Sequence, residues 1–256
     1  MSERRNWSRD ELIIAFNLYS RIPFGTINSR NPELVELARL LGRTVGSVAL
    51  KLANFARLDP ALQRRGVKGL SHGARGDEEV WREFVERPED LVFESQRLMA
   101  DRLGTSVEAL SGIETRDLPN SGREREALVR VRVNQSLFRD RVLSAYGYRC
   151  CVTGLAIRPL LIASHVIPWT EDPSNRLNPR NGLCLNALHD RAFDRHLMWI
   201  DEQFVIRLST ELGKKSAQSR QTVDWLQSFE GKTLLLPKHF QPDPLLLARH
   251  AAQCQR

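Results

Sequence analysis

Residues 160–195 read LLIASHVIPWTEDPSNRLNPRNGLCLNALHDRAFDR, and they combine two apolar segments with a polar segment between them. It opens with an apolar run that is bounded by prolines and carries one histidine, His165, which predicts a short strand. Its middle is rich in Pro, Asn and Asp, residue types that turn or cap the backbone, and it predicts an irregular loop. After Gly182 the apolar residues approximate a helical spacing, and a helix there places Asp190 and Asp194 one turn apart on one face.

The polar residues of this stretch suit the hydrolysis of phosphodiesters. That reaction needs a base for the attacking water and a cation that neutralises charge on the phosphate and the leaving oxygen. A strand histidine that faces helix carboxylates and an imidazole across a short loop could supply both. Each of these residues alone is more often structural, but their concentration in one short segment favours a site.

The stretch resembles the HNH nuclease motif, also called the ββα-metal finger. Three blocks carry the resemblance in order and spacing: SHVIPW at 164–169, NGLCL at 181–185 and LHDRAFD at 188–194. The similarity extends from about residue 138 to residue 250. It implies a metal-dependent endonuclease domain in the C-terminal half of the chain.

The resemblance implies a role for each polar residue of the motif. His165 falls at the position of the general base, and Asn181 falls at the position that orients the base or braces the loop. His189 falls at the third motif position, where it would be the best protein ligand for a divalent metal. Either Asp190 or Asp194 could also bind the metal, and the other would then fix a histidine tautomer.

The resemblance also implies the cofactor. Many members of the family place an acid or a second histidine directly before the general base, whereas this chain has Ser164 there. Helix residues, water and phosphate oxygens would then complete the metal shell, and a single hydrated magnesium or manganese ion suits so sparse a shell. A structural zinc is not expected, because relatives that bind one use two Cys-x-x-Cys pairs and this sequence has neither. We expect Cys150, Cys151 and Cys184 to be buried thiols.

Composition and charge agree with this interpretation. A chain of 256 residues with 41% hydrophobic content can form one large or two ordinary domains. Its net charge of +7 and isoelectric point near 9.6 favour a polyanionic partner. No apolar run approaches the length of a membrane span, and the first residues lack the apolar core of a signal peptide, so we expect a cytoplasmic protein.

The N-terminal part of the sequence predicts three helices. Ser8 and Glu11 have the spacing of a capping box at the start of the first helix. The second helix is expected to begin near Pro32 and to end at Gly42, and a third is expected at 45–56.

Residues 36–52, ELARLLGRTVGSVALKL, resemble the helix-turn-helix half of Myb-like DNA-binding domains. The resemblance implies that the third helix enters the major groove of DNA. The side chains available for base or phosphate contacts are Arg43, Thr44, Ser47, Lys51 and Asn54. The alternative is a structural three-helix bundle.

The rest of the chain completes a predicted organisation of two domains. Residues 63–76 form a basic, glycine-rich loop that could track phosphates as a wing or could be a surface connection. A β-hairpin is expected at 198–208, and His239 and His250 beyond it are expected to be structural. The fold class is α+β. We expect a mainly helical domain of helix-turn-helix or winged-helix type at 1–100, a linker at 101–125 and an HNH nuclease domain at 126–256.

The sequence therefore predicts a metal-dependent DNA endonuclease of restriction type, with an N-terminal reader. Cleavage of both strands would need two HNH sites, so a homodimer is expected. Whether a modified base is read stays open at this point. The alternatives are a DNA-binding regulator with an inactive HNH fold, which Ser164 favours, and an RNA-directed nuclease toxin.

Overall fold

The structure is a computed structural model, and it describes residues 5–64, 66, 74–214 and 220–254. The chain forms two compact units, Met1–Ser136 and Leu137–Arg256. Within the described part of the chain, no helix is both long enough and apolar enough to cross a bilayer.

The first unit is helical. Its elements in chain order are α1 (Arg9–Arg21), α2 (Pro32–Leu41), α3 (Val45–Leu58), α4 (Pro60–Arg64), α5 (Arg75–Phe84), α6 (Pro88–Leu103), α7 (Val107–Leu110) and α8 (Arg123–Ala145), of which the last continues past the boundary at residue 136. The three predicted N-terminal helices are confirmed. Ser8 and Glu11 exchange hydrogen bonds as a capping box on α1. Gly42 ends α2 at a φ of 61°, which glycine adopts without a steric penalty.

One apolar core holds the N-terminal helices together. α1 is its centre and packs against α3, α5 and α6. The ring centroid of Phe16 lies 4.9 Å from that of Phe55 and 5.0 Å from that of Trp81. No strand occurs in the described residues of this unit, and the wing predicted at 63–76 lies largely outside them.

The predicted linker at 101–125 is partly ordered by ion pairs with α8. Arg125 contacts Glu108 of α7 at 2.7 Å and donates to the backbone carbonyl of Pro119 at 2.9 Å. Arg132 contacts Asp117 at 2.7 Å. Contact clustering places this segment in the first unit, and the boundaries expected from the sequence stay a prediction.

The second unit combines small antiparallel sheets with helices, in agreement with the α+β class. Its elements are β1 (Leu161–His165), β2 (Gly182–Asn186), α9 (Ala187–Asp194), β3 (Met198–Ile200), β4 (Ile206–Leu208), α10 (Glu211–Lys214), α11 (Arg220–Gln227) and α12 (Pro244–Cys254). β1 pairs with β2, and β3 pairs with β4 as the predicted hairpin.

The helical spacing expected directly after Gly182 is wrong for the first residues. Residues Gly182–Asn186 form strand β2, and the helix begins only at Ala187. Leu183, Cys184 and Leu185 are all fully buried, so the strand has no polar face. A short apolar run of this kind has the same periodicity signature as a buried helix segment.

Candidate active site

The candidate site lies where β1, β2 and α9 meet. β1 and β2 form an antiparallel ribbon in which His165 is paired with Gly182. α9 follows β2 and packs against both strands. The side chain of Asn186 caps the helix by accepting hydrogen bonds from its first backbone N–H groups. Asp190 and Asp194 lie one turn apart on this helix, as the sequence predicted.

The imidazole of His165 is held by aromatic rings. Phe138 stacks on it with a centroid separation of 3.6 Å and an interplanar angle of 10°, and Trp169 meets it edge-on at 5.7 Å. A Cβ atom on Gly182 would lie 2.9 Å from Cζ of Phe138, so only glycine leaves room for this ring. Sequence reasoning missed Phe138, which belongs to α8 and lies outside the three motif blocks.

A hydrogen bond fixes the tautomer of His165. Its Nε2 lies 3.1 Å from the backbone carbonyl oxygen of Arg176. A carbonyl only accepts, so Nε2 carries the proton and Nδ1 keeps its lone pair. Burial lowers the pKa of His165, while the Arg176 carbonyl and the charge of Asp194 act in the opposite direction. The net lowering favours the neutral imidazole, which is the form that a general base requires.

Asn181 braces the loop between the two strands. Its buried Oδ1 accepts from the backbone N–H of Ile167 at 2.8 Å. Its Nδ2 donates to the carbonyls of Ile167 and Asn175, each at 3.1 Å. The backbone N–H of Val166 donates to the Asn181 carbonyl at 2.9 Å. Of the two roles implied by the family resemblance, these contacts favour bracing the loop that follows His165.

Asp190 and Asp194 form a pair of neighbouring carboxylates on α9. Asp190 is half-buried and Asp194 is exposed. Burial raises the pKa of Asp190 and the charge of Asp194 adds to the rise, whereas Ser164 and Arg191 oppose it. Ser164, the residue that departs from the family pattern, is buried, and its hydroxyl lies beside Asp190 without a well-formed hydrogen bond. The charge of Asp194 also acts on the pKa of His165, and Asp190 is a neighbour of Ser164, which lies on the same strand as His165.

His189 lies on a different face of α9. Its side chain is fully buried, with the ring 5.1 Å from the ring of Trp225 and 5.1 Å from that of Phe229. Its Nδ1 lies 3.1 Å from Oδ1 of Asn186, and its Nε2 is buried without a hydrogen-bond partner. Burial lowers the pKa of His189 to about 4. The structure therefore surrounds this residue with aromatic side chains, and its role as a metal ligand stays a prediction.

The cysteines divide into two groups. Cys150, Cys151 and Cys184 are buried free thiols, and the backbone N–H of Cys151 donates to the carbonyl of Cys184 at 2.7 Å. Cys254 instead lies with His196 and His250. Among the residues that the structure describes, this is the group of three whose ligand atoms all lie within 4.8 Å of one another. The predicted set of His189, Asp190 and Asp194 does not meet that distance. Sequence reasoning missed the group, although the four-residue spacing of His250 and Cys254 was visible.

Three of the side chains predicted to contact DNA form hydrogen bonds or ion pairs with other residues of the first unit. Arg43 is largely buried, donates to Oε2 of Glu11 at 2.7 Å and lies over the ring of Trp7. Lys51 contacts Oδ1 of the fully buried Asp77 at 2.7 Å. Asn54 donates to Oδ2 of the same carboxylate at 3.1 Å.

The other two residues lie at the start of α3. Thr44 is the exposed N-cap, and its hydroxyl accepts from the backbone N–H of Ser47 at 3.1 Å. Ser47 is half-buried in the first turn. Both positions are at least partly accessible, and their contact with DNA stays a prediction.

A family model described as an HNH endonuclease matches residues 150–201, about a fifth of the chain. The matched segment contains β1, β2, α9 and β3, and with them the histidine and the carboxylates of the candidate site. No curated protein matches the chain. Residues 150–201 therefore carry an HNH endonuclease domain, which supports nuclease activity for the protein in general.

Proposed function

We propose that this protein is a metal-dependent DNA endonuclease and that His165 is its general base. The observation that carries the proposal is the fixed tautomer of this histidine. Its Nε2–H is bound to the Arg176 carbonyl, which leaves Nδ1 able to take a proton from water. The stacked ring of Phe138 restricts the plane in which that nitrogen can point. Asn181 braces the loop that supplies the Arg176 carbonyl.

The donor set on α9 fits a hard divalent ion. Ionised carboxylates offer only acceptor oxygens, and magnesium and manganese prefer oxygen ligands. Asp190 and Asp194 are one helical turn apart and repel each other, and Asp194 is open to solvent. When bound there, the ion would stabilise negative charge on the phosphate and on the leaving oxygen. We therefore assign the metal to these carboxylates in preference to His189, whose Nε2 lies among aromatic rings.

Double-stranded DNA is the proposed substrate, and the helical unit is the proposed reader. The accessible N-terminal turn of α3, with Thr44 and Ser47, would contact DNA, while Arg43, Lys51 and Asn54 hold the helices in place. Arg191 and Arg195 are exposed on and next to α9 and would contact backbone phosphates. A restriction-type role and dependence on a modified base belong to the same proposal, and so does a homodimer, because cleavage of both strands needs two sites.

The direct test is cleavage of one plasmid prepared from methylation-proficient and methylation-deficient hosts, with magnesium, manganese or chelator. We expect cleavage that requires the metal and that falls at least about 100-fold in the variant His165→Ala, the usual scale for a lost general base. The matched control is His239→Ala, because His239 is exposed and lies outside the site. Cleavage at the native rate by His165→Ala would remove His165 as the base.

The ligand assignment has its own test. Asp190→Asn and Asp194→Asn should each raise the manganese concentration needed for half-maximal cleavage by about tenfold or more, since each removes a charged ligand. His189→Gln should leave that concentration unchanged in the folded fraction. The reverse result would return His189 to the metal shell. Binding of DNA without cleavage under any metal would favour the inactive regulator, and cleavage of RNA alone would favour the toxin.

A further inference from the structure

A second group of metal-binding side chains lies outside the candidate site. His250 and Cys254 occupy adjacent turns of α12, and His196 follows the end of α9. The Sγ atom of Cys254 lies 3.5 Å from Nδ1 of His196 and 3.6 Å from Nδ1 of His250. All three ligand atoms lie within 4.8 Å of one another.

We propose that His196, His250 and Cys254 bind a zinc ion that links α12 to the end of α9. Zinc bonds are about 2.3 Å to sulfur and about 2.0–2.1 Å to nitrogen. In a tetrahedral shell these lengths separate the sulfur from each nitrogen by about 3.5 Å. The two measured separations agree with that value. A water molecule would occupy the fourth position, as in zinc sites with three protein ligands.

The Sγ atom of Cys254 has three polar neighbours: the two imidazole nitrogens and the backbone carbonyl of His250 at 3.4 Å. The carbonyl can only accept a hydrogen bond, whereas each imidazole nitrogen donates or accepts according to its tautomer. A cation bound to a thiolate and two neutral imidazoles satisfies the sulfur and both nitrogens at once.

The surroundings of His250 are those of a preorganised ligand. Its ring is 3% exposed and stacks on Phe193 with a centroid separation of 3.8 Å and an interplanar angle of 6°. The backbone carbonyl of Phe193 also acts on this ring, and metal-binding histidines commonly donate their second N–H to such a carbonyl. His196 has a φ of 56° because it occupies the left-handed position of the cap that ends α9, where the N–H of Leu197 donates to the carbonyl of Ala192 at 2.9 Å.

The site differs in chemistry from the carboxylate pair on α9. Sulfur and imidazole ligands select zinc, whereas carboxylates select magnesium or manganese. The zinc would link His196, which lies two residues after α9, to helix α12. It would therefore hold in place the helix that carries Asp190 and Asp194 without taking part in the reaction. The inference does not depend on the proposed nuclease activity.

The test uses the full-length chain, purified with a reductant and without chelator. Elemental analysis should find about one zinc per chain. Cobalt should replace the zinc and give the intense absorption of a thiolate-to-cobalt transition. Cys254→Ser should abolish that band and weaken zinc binding at least about 100-fold, since it removes the charged ligand. His196→Gln should weaken binding similarly, and the exposed His196 can be changed without opening the core.

His239→Gln is the matched control, because it removes an exposed histidine of the same unit and should bind zinc as the native chain does. Chelation should lower the melting temperature of the native chain and of this control, and it should leave that of Cys254→Ser unchanged. A native chain that binds no zinc at micromolar concentration, or a Cys254→Ser chain that binds it with native affinity, would overturn the proposal. Neither result requires a measurement of cleavage.

Discussion

The helical unit and the HNH domain differ in the surroundings of their buried and half-buried ionisable groups. In the helical unit buried charges are paired with opposite charges: Glu11 with Arg43, and Asp77 with Lys51. In the HNH domain Asp190 is half-buried beside a like charge, and His189 has a buried nitrogen without a partner. Removing one partner of a buried ion pair leaves an uncompensated charge and destabilises the fold, whereas ionisable groups with shifted pKa values and incomplete pairing are candidates for binding or reaction.

Residue type alone does not distinguish a DNA-binding side chain from a structural one. Lys51 and Asn54 are residue types that commonly bind DNA, and their positions on α3 favour a reading role. Both side chains contact Asp77, which is fully buried, so each has a structural role, and their contact with DNA stays a prediction.

The largest effect that tests this comparison is expected for Asp77→Ala. Removing the carboxylate leaves the ammonium of Lys51 buried without its partner, which costs about 3–5 kcal/mol of unfolding free energy. Urea denaturation measures the loss. The matched control is Glu79→Ala, which breaks the exposed pair with Arg75 and should cost less than about 0.5 kcal/mol. Equal losses in the two variants would show that the buried pair is not structural.

A smaller effect is expected for Gly182→Ala in the HNH domain. The added methyl group would collide with Phe138 and Val142, and overpacking of this kind costs about 1–3 kcal/mol. Phe138 stacks on the imidazole of His165, so a shift of Phe138 should move the base. The cleavage rate should therefore fall further than the loss of folded protein explains. A useful control is Gly25→Ala, where the added methyl group meets nothing within 4 Å. Full activity in the folded fraction of Gly182→Ala would separate the packing of Phe138 from the chemistry.

The pH dependence of the cleavage rate gives a third test. Below the pKa of the base, each pH unit should raise the apparent activation free energy by about 1.4 kcal/mol. Burial lowers the pKa of His165, so the imidazole stays neutral down to below the usual value of about 6.5. Above the lowered pKa the base is available and the rate is constant; below it the imidazole is protonated and the rate falls about tenfold per unit. Single-turnover cleavage between pH 5 and 8 measures the midpoint. A midpoint above 7 would contradict a buried, neutral base.

The motif could be predicted from the sequence because its three blocks are short, close together along the chain and in the expected order. Local signals also gave the capping box of Ser8 and the end of α2 at Gly42. The unpredicted features depend on contacts between distant residues. Asp77 meets Lys51 across 26 positions, and Cys254 meets His196 across 58. No spacing in the sequence predicts either of these two contacts, because tertiary packing brings the residues together.

The smallest effect is expected for Thr44→Ala, and it decides whether the start of α3 is structural or functional. The hydroxyl of Thr44 caps the helix, so its loss should cost about 1 kcal/mol of unfolding free energy. Thr44→Ser keeps the capping oxygen and should be nearly native. DNA affinity, measured on folded protein at fixed salt, separates the two roles. If Thr44→Ala binds DNA as the native chain does, Thr44 has only a structural role, as the buried pair of Lys51 and Asp77 does. If the DNA affinity of folded Thr44→Ala falls, the helical unit also has a side chain available for binding, and the contrast between the two units no longer holds.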